Sequence, residues 1–599
     1  MLFLILFVSL GFSIIYIYYW NQQFLLCPNK EMLLWDANIR MIQSIDFLQY
    51  LKEGNFLESL KIILDSPTWP PLRNLMSIGF ILINGSPDPI LDTRISLFFF
   101  IFLVFILPIS IYFIYLKNFT NFLDKTIGYL SIILTILTLL LLKQLPEYLF
   151  SSMLEIQGMF VYFLFIAYFI YLEKNQLYSL KRSKLIFFIL GALVYLTKYP
   201  YGVLISLTLI LLELIKDPIN FLREIAKILK DYLNFRIIFI VLILLSFIFV
   251  IIYPHLPNEF LKRKFPKNLI YFSILIFFVE FNFYLIQSKK AFFSDSLRFF
   301  YKFFIFPFAI LILSHLDRFR SLLGAQSDTI DKDRNFFTSL FLEYFENPYT
   351  FTFSILFSLI AILYWVWKNN YNFSKALKKS TILQIIFFVW IHFIILEFTT
   401  TNHQARYIFQ ILPPLILFHF LVFTKIEQKT VKKTIGILFS FLVLIHIYVL
   451  NKNLYTRNVC FAGTDPEIFK PVYFIKKEIS ESTRGILFNE FHEYKKSSIN
   501  LENPYLFIPT DIDVHLRYKV FNHGFLINSN QKIPSYSSID TLIYITYSCK
   551  NKVDQSIFYK DFFTRHSLTF KLESVKEINS FICLKLYTLS KEKMISAID

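Results

Sequence analysis

Glycine and cysteine are scarce in this chain, with 13 and 4 of them among 599 residues. It has no Gly-rich phosphate loop, no zinc-finger spacing, no low-complexity segment and no short-period repeat. These absences set aside the P-loop nucleotide enzymes, cysteine-based zinc modules and repeat arrays. What is present is apolar bulk: 56% of residues are hydrophobic and 19% aromatic, including 74 Phe and 36 Tyr. The mean hydropathy is +0.54. Soluble domains do not reach this, and repeated apolar runs of about 18 residues or more indicate transmembrane helices. The formal charge of +17 would point to nucleic acid in a soluble protein. Here Lys and Arg stand mainly in short loops between apolar runs, so positive-inside topology accounts for the charge and nucleic acid is not expected as a partner.

Residues 1–20 end in an aromatic belt and lack a basic leader or small-residue cleavage site, so they read as an uncleaved first span. Further candidate spans fall near 95–116, 127–142, 156–172, 185–197, 199–214, 236–253, 268–287, 299–315, 350–367, 381–398, 406–424 and 434–450. That gives about thirteen. With the N-terminus inside, the cytoplasmic loops carry Lys117 and Lys125, then Lys174, Lys181, Arg182 and Lys184, then Lys216, Arg223, Lys227 and Lys230. Later loops on that side continue the pattern with Lys289 and Lys290, with Lys368 to Lys379, and with Lys425 to Lys433. One loop, 254–267, opposes the rule with Lys262, Arg263, Lys264 and Lys267. The majority places the loops 20–94, 143–155, 316–349 and 399–405, and the tail after 451, outside.

The chain changes character near 456. Short alternating apolar runs follow a helix-like stretch from Asp465 to Ile479, and Leu568 to Leu589 reads as a hairpin. The expected organisation is a transmembrane domain over 1–455 and a small α/β domain over 456–599. Cys27, Cys460, Cys549 and Cys583 all fall on the outer side, where disulfides are permitted, but no spacing signature dictates a pairing.

Chemistry-bearing residues collect on that outer side. Asp36 stands just beyond the first span, in Leu34-Trp35-Asp36-Ala37-Asn38, and a positioned carboxylate can take a proton from an acceptor. Asp46 and Asp65 share its loop. Asp46 falls in Asn38 to Leu51, whose spacing reads as an amphipathic helix on the membrane, and Asp65 reads as a turn residue. Trp69-Pro70-Pro71-Leu72 follows about thirty residues after Asp36; its prolines fix the backbone, and its Trp either walls a sugar or lipid site or sits at the interface. Glu147 and Glu155 occupy the second outer loop. Glu155 lies at a span mouth, where an acid facing lipid is expensive, and it is a candidate oxygen ligand for a divalent cation such as Mg or Mn, together with Asp36. Lys198-Tyr199-Pro200 interrupts an apolar stretch; its Lys either holds a phosphate as a point charge or snorkels. His403, Arg406 and Tyr407 open a late span before Pro413-Pro414, and an Arg there suits bidentate phosphate recognition.

The ordered set resembles the GT-C membrane glycosyltransferases, nearest to the bacterial branch of protein mannosyltransferases, aminoarabinose transferases and lipopolysaccharide-core sugar transferases. The resemblance runs over roughly 1–450. It rests on the first-loop Asp36 followed by a Pro-Pro-Leu turn, on Gly191 to Pro200 with Leu196-Thr197-Lys198-Tyr199-Pro200, and on His403, Arg406 and Tyr407 continuing to Pro413. The chain departs from the family pattern in having Ala37 where many relatives carry Glu, and Glu155 where Asp is usual. The resemblance implies Asp36 as the catalytic carboxylate. It also implies substrate-binding roles for Trp69, Lys198, Tyr199, His403, Arg406 and Tyr407, with Glu155 at a metal or the acceptor. A polyprenyl-phosphate-linked sugar is the implied donor, and a glycolipid, glycan or protein the acceptor. The expected location is the outer face of a bacterial inner membrane. The rival classes are a transporter or flippase, an inactive envelope-assembly scaffold, and a polymerase or ligase of the O-antigen type. Ionisable groups deep within spans mark the transporter, and Glu280, His392 and His419 fall within the expected spans.

Overall fold

The computed structural model describes residues 2–26, 35–64, 70–85, 87–235, 295–313, 335–368, 373–399 and 403–454, together with the backbone of five strands between 504 and 589. Among the described residues nine helices are long and apolar enough to cross a membrane. They are α1 (Leu2–Leu26), Ile90–Asn118, α6 (Phe122–Leu140), α8 (Glu155–Asn175), α10 (Tyr199–Lys216), α15 (Pro348–Lys368), α17 (Thr381–Thr399), Ala405–Lys425 and Lys429–Lys452. The architecture is that of a multi-pass helical membrane protein. Each of the nine matches an expected span.

Four expected spans have no counterpart among the nine. The stretch 185–197 lies in α9 (Lys181–Thr197), a 17-residue helix. The stretch expected at 299–315 is a broken helix: α12 (Asp295–Phe300), a π-helical turn over Tyr301–Ile305, and α13 (Phe306–Leu313). The spans expected at 236–253 and 268–287 lie outside the described residues.

Span Ala405–Lys425 is the most enclosed, with 94% of its window buried. It packs on α6, α8 and α17. Its first two turns, Ala405–Ile411, wind as a 3-10 helix before α18 (Leu412–Leu421) begins. The cause lies in Pro413 and Pro414. Neither has an N–H to return to a carbonyl four residues earlier, so the entry winds more tightly. A second break comes at Lys198, the one extended residue (φ −159°, ψ 117°) between α9 and α10. Pro200 stands in the first turn of α10 and cannot continue α9.

Between α1 and the second span stand α2 (Trp35–Lys52), α3 (Phe56–Leu64) and α4 (Leu72–Asn84). Pro70 and Pro71 are buried, and Pro71 is the residue from which α4 starts. The expected helix over Asn38 to Leu51 is present within α2. Its buried stripe, Ala37, Met41, Ser44, Ile45 and Leu48, faces protein, because α3 and α4 pack on α2. The expectation of a helix resting its apolar face on lipid is therefore corrected. Asp65 and Trp69 lie outside the described residues.

A buried polar network ties this loop to the bundle. Arg73 on α4 pairs with Asp92 at 3.0 Å, with both side chains almost fully enclosed. The Ser77 hydroxyl also donates to Asp92, and the Ser96 hydroxyl donates to the Ser151 carbonyl at 2.7 Å. Arg40 on α2 donates to the Ser152 carbonyl at 2.7 Å. The helix of Asp92, α5 (Pro89–Ile114), starts with a conventional cap: the Asp88 carboxylate accepts from the N–H groups of Ile90 and Leu91, as an N-cap Asp does.

At the opposite end of the bundle the basic loops carry ion pairs, of which that of Lys432 with Asp124 is largely buried and the other two are more exposed. Lys378 meets Asp217 at 2.7 Å, Lys368 meets Glu427, and Lys432 meets Asp124. The three histidines within described spans are buried and held locally: His392 by Tyr162, His419 by Trp390, and His446 by Thr138. In the C-terminal region the strands β1 (Pro504–Phe507), β2 (Ile527–Asn528), β3 (Thr541–Thr546), β4 (Phe570–Glu577) and β5 (Cys583–Leu589) pair in the order β2-β1-β3-β5-β4. The last two, Phe570–Glu577 and Cys583–Leu589, are antiparallel, as the expected hairpin over Leu568 to Leu589 requires.

Removing one partner of a buried ion pair strands the other charge, which typically costs about 3–5 kcal/mol. Arg73→Ala is accordingly expected to destabilise the detergent-purified protein by about that amount in denaturant or thermal unfolding, and Arg73→Ala with Asp92→Ala by less. Equal losses in the single and double variants would show that the pair is not the brace.

Candidate functional site

The two breaks in the helices meet. Lys198, in the break between α9 and α10, has its ammonium 4.7 Å from the centre of the Tyr407 ring and 5.3 Å from that of Tyr201. Arg406, in the 3-10 entry of the central span, has its guanidinium carbon 5.0 Å from the same Tyr407 ring. It also donates to the Tyr407 hydroxyl at 3.2 Å. Two cations from segments some two hundred residues apart in sequence thus converge on one aromatic ring, no more than about 10 Å from each other. Each gains from the ring quadrupole, while their mutual repulsion grows as the medium becomes less polar.

Glu155 closes the other side. It opens α8, is 3% exposed, and its Oε2 has no hydrogen-bond partner among the described residues. Its charge acts on the hydroxyls of Tyr148 and Tyr201, and Arg406 acts on both from the opposite sign. These four side chains therefore form one electrostatic group. Burial pushes the Tyr148 hydroxyl well above its ordinary value; Glu155 and Glu147 push it further, and Arg406 opposes them. Tyr201 is also buried, and its hydroxyl too has no partner among the described residues. Its ring lies so close to Gly158 that a Cβ there would stand 2.7 Å from Cε2. Glycine at 158 is what lets α10 bring Tyr201 against the first turn of α8. One residue from Gly158, Gln157 donates to the Thr197 hydroxyl at 3.2 Å, which joins α8 to the turn that carries Lys198.

The structure thus brings Glu155, Lys198, Arg406 and Tyr407 together, as the sequence led us to expect, and adds Tyr148, Tyr201 and Gln157. Tyr201 was within reach of sequence reasoning, in the first turn of the helix that follows Lys198. Tyr148 and Gln157 carry no such signal. Tyr199 is buried in the first turn of α10.

His403 lies at the same end but in a different set of contacts. Its ring meets Phe336 at 4.8 Å, and its Nε2 lies 4.0 Å from a Glu397 carboxylate oxygen. The Tyr344 hydroxyl donates to the His403 carbonyl, and Glu397 also accepts from the Phe336 N–H. The segment around Tyr344 is pinned in turn to the end of α6: Lys143 N–H donates to the Tyr344 carbonyl, and Glu346 N–H to the Leu141 carbonyl. The described contacts make His403 part of this strap.

Trp69 is outside the described residues. Asp36 lies in the first turn of α2, one turn before Arg40. Arg40 reaches the carbonyl of Ser152, three residues before Glu155. The start of α2 and the start of α8 are thus fastened to one bend.

Compared with known proteins, the chain matches no family model, no curated protein and no solved structure.

Among the described residues no three His, Cys, Asp or Glu side chains come together to hold a metal ion. A divalent cation of the Mg or Ca class asks for about six oxygen ligands. Glu155 supplies one carboxylate in a group that also contains Arg406. Among the described side chains this donor set does not fit a resident cation.

Glu147, in α7 (Leu145–Leu149), has its carboxyl pushed up from 4.5 to about 7 by burial. The folded chain therefore holds this proton more tightly than the unfolded chain does. The stability it contributes is full below about pH 4.5 and is lost as pH rises through about 7. Glu147→Gln is expected to lessen the fall in thermal midpoint across that window; an unchanged slope would show that Glu147 does not titrate there.

Proposed function

We propose that the chain is an inverting membrane glycosyltransferase. It would move a sugar from a polyprenyl-phosphate donor to a glycolipid, glycan or protein acceptor at the outer face of a bacterial inner membrane. The observation that carries this reading is the convergence of Lys198 and Arg406 on Tyr407 at one end of the bundle. Two cations that converge at a membrane boundary can bind a phosphate headgroup attached to a lipid, which is an anion found at that depth. The buried Glu155 Oε2 and Tyr201 Oη, both without partners among the described residues, add polar atoms for a ligand to satisfy.

In this reading Asp36 takes the proton of the acceptor hydroxyl or amine. The acceptor attacks the anomeric carbon, and the bond from that carbon to the phosphate oxygen breaks. The electron pair stays on the phosphate, where Arg406 and Lys198 stabilise it. Glu155 orients the acceptor through a hydrogen bond rather than through a metal. Tyr199 and Tyr407 shape the donor side, and Trp69 walls the site. His403 supports the entry from the strap.

The finer architecture is part of the same proposal: about thirteen spans, two of them within 236–294, a cytoplasmic N-terminus, and residues 456–599 forming an external α/β domain. The ionisable groups buried within described spans favour this over a transporter. The three histidines have local partners, and Asp92 is paired with Arg73 near a span end rather than at the midplane.

Purified protein given a panel of polyprenyl-phosphate sugars should release polyprenyl phosphate. Asp36→Asn should lower turnover about 10²–10⁴-fold with donor binding retained, as general-base removal does; Asp46→Asn should cost far less. Arg406→Lys keeps the charge but loses the planar fork, so it should weaken donor use. Near-normal turnover by Asp36→Asn and Arg406→Ala, in correctly inserted protein, would end the assignment. For topology, a membrane-impermeant thiol reagent on intact, reduced cells should label cysteines of the tail. A reporter after Asp599 that works only in the cytoplasm would reverse the sidedness.

A further inference from the structure

The helix that follows the fifth described span stands apart from both the site and the bundle core. Helix α11 (Pro218–Phe235) joins α10 through the single residue Asp217. That junction is built: the Phe221 N–H donates to the Asp217 carbonyl at 2.9 Å, Asn220 contacts the Asp217 carboxylate at 3.0 Å, and Lys378 pairs with Asp217 from the far side. The direction in which α11 leaves the bundle is thus set by specific contacts.

At 100° per residue the sequence of α11 divides cleanly. Ile219, Leu222, Ile225, Ala226, Leu229, Tyr232 and Leu233 share one broad arc. Arg223, Lys227 and Lys230 stand together along one edge of the opposite arc, with Glu224 and Asp231 along the other edge. Phe221, at one side of the apolar arc, is buried at 5% exposure against the bundle. The rest of the arc is open where its side chains are described: Ile219 is 70% exposed, Leu222 59% and Ile225 36%. On the span before it Leu207, Ile210 and Leu211 are likewise exposed. The exposed face of a span is the face that meets acyl chains. An amphipathic helix joined to that span by one residue starts at the boundary of the same lipid.

We propose that α11 is an interfacial anchor. It lies along the surface of the leaflet at the end of the bundle opposite the candidate site, with Ile219, Leu222 and Ile225 in the acyl boundary and the Arg223–Lys227–Lys230 edge on anionic headgroups. An amphipathic helix with Lys and Arg beside its apolar arc binds in this way, through buried apolar area plus attraction to anionic lipid. The leaflet is the one served by the basic loops, and the three cations add to that end of the molecule an attraction that reads the membrane's charge. The occupant of the face is lipid rather than a second protein, because the helix follows a span with exposed apolar residues after a single junction residue, and the edge of its apolar arc is basic.

The test uses full-length protein in vesicles of phosphatidylcholine, with or without phosphatidylglycerol. The native cysteines are replaced, and Leu222→Cys or Arg223→Cys is labelled with a nitroxide. The label at 222 should be more accessible to oxygen than to a water-soluble nickel chelate, and the label at the adjacent position 223 should show the reverse. Phosphatidylglycerol should move the 222 label deeper, and charge reversal by Arg223→Glu, Lys227→Glu and Lys230→Glu should remove that gain. Equal access of both labels to nickel would place the helix in water. A label at 222 reached by neither quencher would mean that protein covers the face. Either result overturns the proposal, and no gain with phosphatidylglycerol overturns its anionic part. None of these readouts depends on glycosyl transfer.

Discussion

The contact on which the site end of the molecule depends is the buried pair of Arg73 and Asp92. A charge taken out of water is costly unless it is matched in place, so this pair fixes α4 against the first turn of α5 with little tolerance. Ser77 shares Asp92, and Ser96 and Arg40 take hold of the carbonyls at Ser151 and Ser152. The result is a polar brace that joins α2, α4 and α5 to the bend immediately before Glu155. The apolar packing around it is non-directional, so directed polar contacts such as these orient the helices between the first two spans. A carboxylate at the start of α2 can be relevant to Glu155 only if that bend is held.

On the far side of the same opening, the geometry comes from proline. Pro200 and the Pro413-Pro414 pair interrupt two spans at one membrane level. They place Lys198 and Arg406 in non-α backbone, where irregular segments are tolerated because they border a cavity or protein rather than lipid. Tyr407 then lies against both cations. Gly158 admits Tyr201, whose hydroxyl has no partner among the described residues. The brace and the breaks are independent in sequence, yet both end on the first turn of α8.

Much of this was legible in the chain. Long apolar runs announce spans without ambiguity, and nine expected spans are present as helices of the required length. Lys198 and Arg406 stood out because a positive charge beside a proline break in an apolar stretch is hard to explain as lipid contact. The parts that were not legible depend on distance in three dimensions. Arg73 and Asp92 are ordinary loop residues in one dimension; only the fold shows that they are enclosed. Tyr148 belongs to the site because α7 returns it there, and neither period nor composition carries that. His403 looked like part of the Arg406 motif by adjacency, but the 3-10 winding and the strap at Tyr344 give it other company. The stripe on α2 was read correctly as a helix face and wrongly as a lipid face. Periodicity says that a face is buried without saying what buries it.

The two ends of the bundle handle charge differently, and that difference bears on function. At the end with the basic loops, Lys378, Lys368 and Lys432 have carboxylates within bonding distance, and Lys174 reaches the Ile114 carbonyl. Such pairing holds loops together and leaves little field. At the other end Lys198 and Arg406 both lie over the Tyr407 ring, whose quadrupole attracts each cation. Glu155 and Arg406 meanwhile act on the same two phenols from opposite signs. A site of this kind is polarised: positive around Tyr407 and negative at the start of α8. In the proposed reaction the first region would hold the phosphate leaving group and the second the acceptor hydroxyl.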